Sequence, residues 1–431
     1  MPETAVWGEP TCAVQTRERQ EKDRWRRAAL GDRGAATIYR GWVLRHRQSL
    51  ERCRQNTWPQ VQGVWLRVYP NDWQPGVLED VLDRIVNRGY NRVFVEVFYD
   101  GRVLLPVAKN PTPWRSVLAE AVQAGQVPAE ADLWARTVRL ARERGLSVYG
   151  WSFALNFGYS YGERADRQGV LARNGRGETT VVRSRLDPQQ AREGRSFYLE
   201  LSELEHLFVD PYNPQGRADL TTAVREFLKA RPDGMVFDYV RYSRTGVGTD
   251  GRRRLIEDLW IFGAASRAVW RSRPNATAWD TVVEHAYQGV VDFVAAVSRP
   301  VEQQGVPIGT VFFPEGNRRG LDWVDGRVQP WDRFPAKWER HPMTYALCKD
   351  GQCVADQVGE VLRQSTPKTL VCPVLAGTWG QSFRGHASFE QRMRLIREQH
   401  PQVRCVSHFV YAWMEPESDR RRKAGLHRGD E

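Results

Sequence analysis

The chain has 431 residues, enough for one large barrel or two to three ordinary domains, and 41% of them are hydrophobic. No run approaches the roughly 18 apolar residues of a membrane helix, so no transmembrane segment is expected. The net charge of +11 is concentrated in the first 54 residues and in SDRRRKAGLHRGDE near the other end. With no familiar nucleic-acid motif in the chain, these are read as basic ends on a near-balanced body, and no nucleic-acid partner is expected.

In chain order, the start MPETAVWGEPTCAVQTRERQEKDRWRR turns charged where the apolar stretch of a signal peptide would lie. A cytoplasmic protein is therefore expected, or an envelope or periplasmic one if a leader is missing from this stretch. Residues 1–60 hold two charged helix candidates, about 16–30 and 34–54, read as an extension that packs through Trp25, Leu30, Trp42 and Leu50. Three later stretches share one grammar: an amphipathic helix, a polar turn ending in Gly, then a β-branched strand. They are LEDVLDRIVNRGYNRVFVEVF, LWARTVRLARERGLSVYGWSF and VVDFVAAVSRPVEQQGVPIGTVFF. Strand-like runs fall at 63–69, 91–98, 146–154, 234–242, 306–313, 342–347, 369–375 and 404–413. Eight strands alternating with helices predict a TIM (β/α)8 barrel over 61–415, with an open doubly wound sheet as the alternative. Residues 416–431 read as a basic C-terminal tail. The segment 156–209 is a long polar loop, suited to covering a substrate or simply inserted.

Six cysteines make neither a zinc pattern nor a dense disulfide framework. Cys348 and Cys353 flank a turn that lets them pair in an oxidising compartment, while Cys372 and Cys405 look like strand cores. No Gly-rich phosphate loop, metal cluster or nucleophile elbow is present, so no cofactor or metal is expected.

The chemistry is sought where strands end. Asp238 interrupts the apolar run MVFDYVRY, and an unpaired buried carboxylate costs several kcal/mol or takes up a proton, so it is either paired or kept for chemistry. Glu96, Asp100, Glu315 and Glu415 also fall at strand ends. Several acids at one mouth suit glycoside hydrolysis, which uses one protonated and one ionised carboxyl. The alternative for each is a structural ion pair, such as Arg67 with Glu96 or Asp238. Seventeen Trp are a second signal. Trp65, Trp73, Trp151, Trp323, Trp331, Trp379 and Trp413 lie at strand ends or in loops, where aromatic faces bind sugar rings or simply fill the core.

The ordered blocks QGVWLRVYPNDW, RGYNRVFVEVFYDGRVLLP, ERGLSVYGWSFALNFG, LFVDPYNPQGRADL, RPDGMVFDYVRYS and HPMTYAL resemble those of the glycosyl-hydrolase-like family ten, in the version found in cyanobacterial proteins. The resemblance spans about 61–414. It implies a TIM barrel that cleaves glycans, peptidoglycan-type chains being a leading substrate class, and it implies export in many members, although no leader is seen here. Its motifs map onto Asp233, Gly234, Asp238, Tyr239 and Arg241, onto Asp210 and Pro211, onto Asn156, and onto Tyr345.

The expected enzyme is thus a glycoside hydrolase in which Asp238 is the nucleophile or stabilising ion. Glu96 or Glu315 is its partner acid, and Phe94 and Phe98 desolvate Glu96 into a general acid. Arg67 or Arg241 keeps the other carboxylate ionised. Trp65, Trp151, Trp379, Trp413, Tyr239, Tyr345, Asn156, Asp210 and Glu415 complete the expected substrate site. A barrel that binds glycan without cutting it, and a basic scaffold for nucleic acid or a membrane surface, are the competing functions.

Overall fold

The computed structural model describes residues 12–99, 101–180, 207–243, 256–320, 324–345, 348–377, 379 and 387–424. Eight parallel strands form the barrel: β1 (Val61–Leu66), β2 (Arg92–Tyr99), β3 (Ser147–Phe153), β4 (Gly234–Asp238), β5 (Ile308–Phe312), β6 (Glu339–Pro342), β7 (Val374–Ala376) and β8 (Cys405–Phe409). Each pairs with the next from β1 to β6, and β8 joins β1 to β7. Parallel bridges Arg340↔Val371 and Met343↔Val374 close the ring between β6 and β7. The fold is therefore the expected (β/α)8 barrel, and the open sheet is excluded.

The alternation of each strand divides two cores. On β2, Val93, Val95 and Val97 are fully buried toward the helices, while Phe94 points into the lumen, stacked on Trp65 of β1 at 4.3 Å. Trp65 also meets Trp151 edge-on at 5.0 Å and His341 at 6.1 Å. Two glycines make room for these rings. A Cβ on Gly234 would lie 2.3 Å from the Tyr149 ring, and one on Gly309 would lie 2.7 Å from His341 Nε2. Below them, at the strand starts, Glu339 accepts from Tyr149 at 2.9 Å and Arg92 at 3.2 Å.

Helices α1 (Thr16–Ala28) and α2 (Arg33–Asn56) form the N-terminal extension, and α3 (Val77–Asn87) follows β1. The Asp32 side chain caps α2 by accepting from Ala35 N at 2.7 Å. The extension docks through charge as well as through apolar contacts, in which Ala35, Tyr39, Val43 and Leu50 of α2 are buried. Asp83 of α3 accepts from Tyr39 Oη at 2.7 Å and Arg144 Nε at 2.9 Å, with Lys22 Nζ at 3.5 Å. Leu50 is buried as expected, but Leu30 is 60% exposed, and Arg24 and Arg45 lie over the rings of Trp25 and Trp42. Cys12–Cys53 ties the chain before α1 to α2, Cys372–Cys405 joins the β7 and β8 segments, and Cys348–Cys353 clips a turn.

The expected basic tail needs correction. Residues Pro416–Ala424 are a helix held against the barrel, with Arg422 donating to Asp72 at 2.6 and 2.7 Å, both side chains at most 3% exposed. The described parts of the long third loop fold back through bridges Asn156↔Phe208 and Leu171↔Val209. Its residues 181–206, like Asp100 and Trp323, lie outside the described residues.

Candidate active site

Asp238 ends β4 at the C-terminal mouth of the barrel, where active sites of this fold lie. Its neighbour on β3, Trp151, donates its indole N–H to Asp238 Oδ2 at 3.2 Å, and the Tyr239 backbone N–H donates to Oδ1 at 2.6 Å. Tyr239 has φ +51°, a left-handed conformation that is uncommon for a bulky side chain and collects at functional sites. Burial pushes the Asp238 carboxyl up to about 6, against the opposing pull of the Tyr239 N–H, the Arg241 charge and the Trp151 N–H. Desolvation therefore wins over three groups that favour the anion, and the carboxyl changes state close to neutral pH.

Aromatic rings wall this acid. Phe409, the last residue of β8, lies 6.1 Å from Trp151, stacks on Tyr345 at 5.8 Å and meets Trp413 edge-on at 5.6 Å. On the other side Phe153 lies 4.4 Å from Tyr239. The Tyr345 phenol is pushed up by burial and then by the nearby Asp238 charge. Trp413 is 37% exposed and so offers ring area at the rim. Arg241 lies over the Tyr239 ring at 4.8 Å. Phe153 and Phe409 were not singled out from the sequence, although strand alternation from Trp151 and from Ser407 places both on the lumen face.

The other expected residues separate into those near this mouth and those removed from it. Arg67, just beyond β1, pairs with Glu96 of β2, the second contact being 3.2 Å, and lies over Tyr99 at 4.2 Å. Glu96 is 1% exposed, level with Trp151, while Asp238 is level with Phe153 one strand further round. The strands carrying the two acids are two apart, a lateral separation on the order of 10 Å. A β-bulge between Glu96 and Phe98 sends Phe98 to a cluster with Trp114 and Phe157. The expected desolvation of Glu96 by Phe98 is thereby corrected: the structural-pair alternative with Arg67 is the one observed.

Glu315 is likewise committed, to Arg327 at 2.8 Å with both side chains at most 4% exposed. Asp210 accepts from the backbone N–H groups of Ser266 and Tyr212 at 2.9 and 3.0 Å, so it braces a loop and a helix start rather than a substrate. Asn156 does similar work, its Oδ1 accepting from Gly158 N and Leu207 N. Trp65 fills the lumen floor at 1% exposure, and Trp379 packs against Phe389 and the outward-facing His408. Glu415 points to α3, pairing with Arg84 at 3.0 Å and Arg88 at 2.6 Å. These five were expected at the substrate and instead have framework roles. Their types and positions relative to strand ends were legible, but the side of the barrel wall they face was not.

A buried Ser266–His285 contact of 2.9 Å was also missed. It is not a nucleophile pair. Arg273 Nε donates to His285 Nδ1, which leaves the proton of the neutral imidazole on Nε2 and makes Ser266 the acceptor. Among the described residues no group of three His, Cys, Asp or Glu could hold a metal ion, and no helix is long and apolar enough to cross a membrane.

Fold and mouth together define a (β/α)8 barrel with Asp238, among the described residues, set in an aromatic cleft. No protein-family model matches the chain, and no curated protein matches it. Among solved structures it is similar to the PgaB (BpsB) glycoside hydrolase domain from Bordetella bronchiseptica, at 14% identity over 84% of this chain and 98% of that one, with TM-score 0.49. It is also similar to the catalytic domain of β-amylase from Paenibacillus polymyxa, at 8% identity over 82% and 92% of the two chains, TM-score 0.46. A GH20 exo β-N-acetylglucosaminidase from Vibrio harveyi is similar at 8% identity over 85% of this chain and 53% of that one, TM-score 0.46. At such values these are likenesses of chain course alone.

Proposed function

We propose that the protein is a glycoside hydrolase acting on a polysaccharide or peptidoglycan-type glycan, with Asp238 as the proton-donating acid. The observation that carries this reading is the desolvated Asp238 carboxyl, raised to about 6, at a barrel mouth walled by Trp151, Phe409, Tyr345 and Trp413. A carboxyl with that value keeps a useful protonated fraction near neutral pH and can protonate a leaving glycosidic oxygen. The aromatic faces hold the apolar side of the sugar ring through buried area.

The roles are reversed from those read in the sequence. Asp238 carries the proton, and Glu96, paired with Arg67 on the lumen wall, is the ionised carboxylate that favours positive charge on the sugar ring. The family-ten resemblance and its peptidoglycan-type substrates belong to this proposal. All six cysteines are paired, which supports the envelope or periplasm over the cytosol as the compartment.

The second reading, a barrel that binds glycan without cutting it, is favoured by one observation: Glu96 and Glu315 are both engaged by arginines. A hydrolysis panel of purified glycans with wild type and Asp238→Asn tests the choice. The enzyme reading expects turnover by wild type only with binding by both. Binding by both without turnover on any glycan leaves the lectin-like reading.

A further inference from the structure

Helix α1 and the helix Pro416–Ala424, one from each basic end segment, line one cleft. Helix α1, the start of α3 and the C-terminal helix Pro416–Ala424 enclose a cleft of about 350 Å³ that joins a second of about 320 Å³ along α1 and α3. The two share Asp23, Arg26, Asp80 and Arg84 in their walls. Counted over both, eight Arg or Lys side chains and four Asp or Glu line the walls; of the eight, Lys22 is buried against Asp83, and Arg422 against Asp72 and Asp419, which lie outside that count. Arg421 is exposed on the rim, and Arg27 is 69% exposed with one contact to Asp23. The groove also adjoins the mouth: Arg422, in its wall, donates to the Arg67 carbonyl oxygen at 2.8 Å, and Arg67 pairs with the lumen Glu96.

We infer that this groove is a binding site for an anionic polysaccharide, a chain carrying carboxylate groups at intervals. Three features select that chemistry. The surplus of cations attracts negative charge in a concave, partly desolvated site. The interleaved Asp23, Asp80 and Glu415 leave acceptors for sugar hydroxyls, and they oppose a polymer as densely charged as a nucleic acid, which carries one charge per about 1.7 Å of duplex. Among the described residues no aromatic side chain lines either cleft, so these walls show no stacking platform of the kind that holds single-stranded nucleic acid. The groove also differs from a membrane-binding face, which needs an apolar strip beside its basic residues.

The inference takes the nature of the polymer from the glycan reading of the mouth but needs no turnover, so the two fail separately. The test is binding of a fluorescently labelled oligogalacturonate to the full chain, to Arg27→Glu/Arg421→Glu, and to Asp238→Asn. Both arginines are exposed and lie outside the buried Arg422–Asp72 pair, so the double variant keeps the fold, checked by its melting temperature. Wild type and Asp238→Asn are expected to bind alike. The double variant should bind at least about tenfold more weakly. Raising salt from about 0.1 M to about 1 M, where the Debye length falls from about 10 to about 3 Å, should weaken wild type and bring it toward the variant. Equal affinity of wild type and double variant overturns the inference. So does tighter binding of a single-stranded DNA oligonucleotide or of phosphatidylglycerol vesicles than of oligogalacturonate.

Discussion

Trp151 on β3 holds the Asp238 carboxylate of β4 through its indole N–H at 3.2 Å, while its ring lies between the lumen floor, Trp65, and the mouth aromatic Phe409. One side chain thus couples the packed core of the barrel to the acid at its mouth. Replacing Trp151 by Phe keeps the ring and removes the donor. That donor favours the anion, so its loss should raise the Asp238 pKa above about 6, and the alkaline limb of kcat/KM should move to higher pH. A pH profile with an unmoved limb would show that Trp151 does not act on the titrating acid.

Asp238→Asn should lower kcat at least about a thousandfold while glycan binding persists. Its stability effect has a definite sign. The folded pKa of about 6 lies above the unfolded value of about 3.9, so the folded protein binds the extra proton between those limits. Stability from this group is present below about pH 4 and is lost as pH rises through about 6, amounting to about 2 to 3 kcal/mol. At pH 7 the Asn variant should therefore be more stable than wild type by about 1 to 2 kcal/mol, after about 1 kcal/mol is lost to the imperfect match of its amide to the Trp151 donor. Urea unfolding at pH 5 and pH 7 measures this. A markedly less stable variant with retained activity would sink the catalytic assignment.

Asp83 carries the opposite sign. Burial opposes its charge, but Lys22 and Arg144 outweigh that and hold the carboxyl below its usual range. Its contribution is present above the unfolded pKa of about 3.9 and is lost as pH falls below it. Asp83→Asn leaves two buried cations facing an amide and should cost about 3 to 5 kcal/mol. The denaturation midpoint at neutral pH reads this directly, and an unchanged midpoint would mean the extension is not held at this cluster.

Denatured, unreduced protein should show no reactive thiol, and six after reduction. Removing Cys12–Cys53 frees a loop spanning 41 positions and should cost up to about 4 kcal/mol in the chain-entropy account. Free thiols in protein recovered from its native compartment would contradict the proposed oxidising location.

Trp413→Ala removes a rim ring that is 37% exposed and meets Phe409 edge-on. Glycan affinity should fall by about 1 to 2 kcal/mol, between fivefold and thirtyfold, with the melting temperature shifted by a few degrees at most. Unchanged affinity for every glycan that binds wild type would remove Trp413 from the site.

The barrel was legible because three βα units signal themselves locally, by amphipathic helix, capping glycine and β-branched run, and the remaining strands show as short apolar runs. All eight expected strands overlap observed ones, from Val61–Leu66 to Cys405–Phe409. Asp238 was legible for the same local reason, a carboxylate in an apolar strand. Which way a residue faces past a strand's end was not. Glu415 turns to Arg84 and Arg88 on α3, Trp379 to the outer core, and the bulge after Glu96 removes Phe98 from its side. Nor could composition assign Glu96 to Arg67 or Glu315 to Arg327, because ion pairing depends on distances of a few ångströms between segments remote in the chain. Local propensity is written in neighbouring residues. The protonation and partnership of a buried acid are set by desolvation and by charges that only the closed barrel brings together.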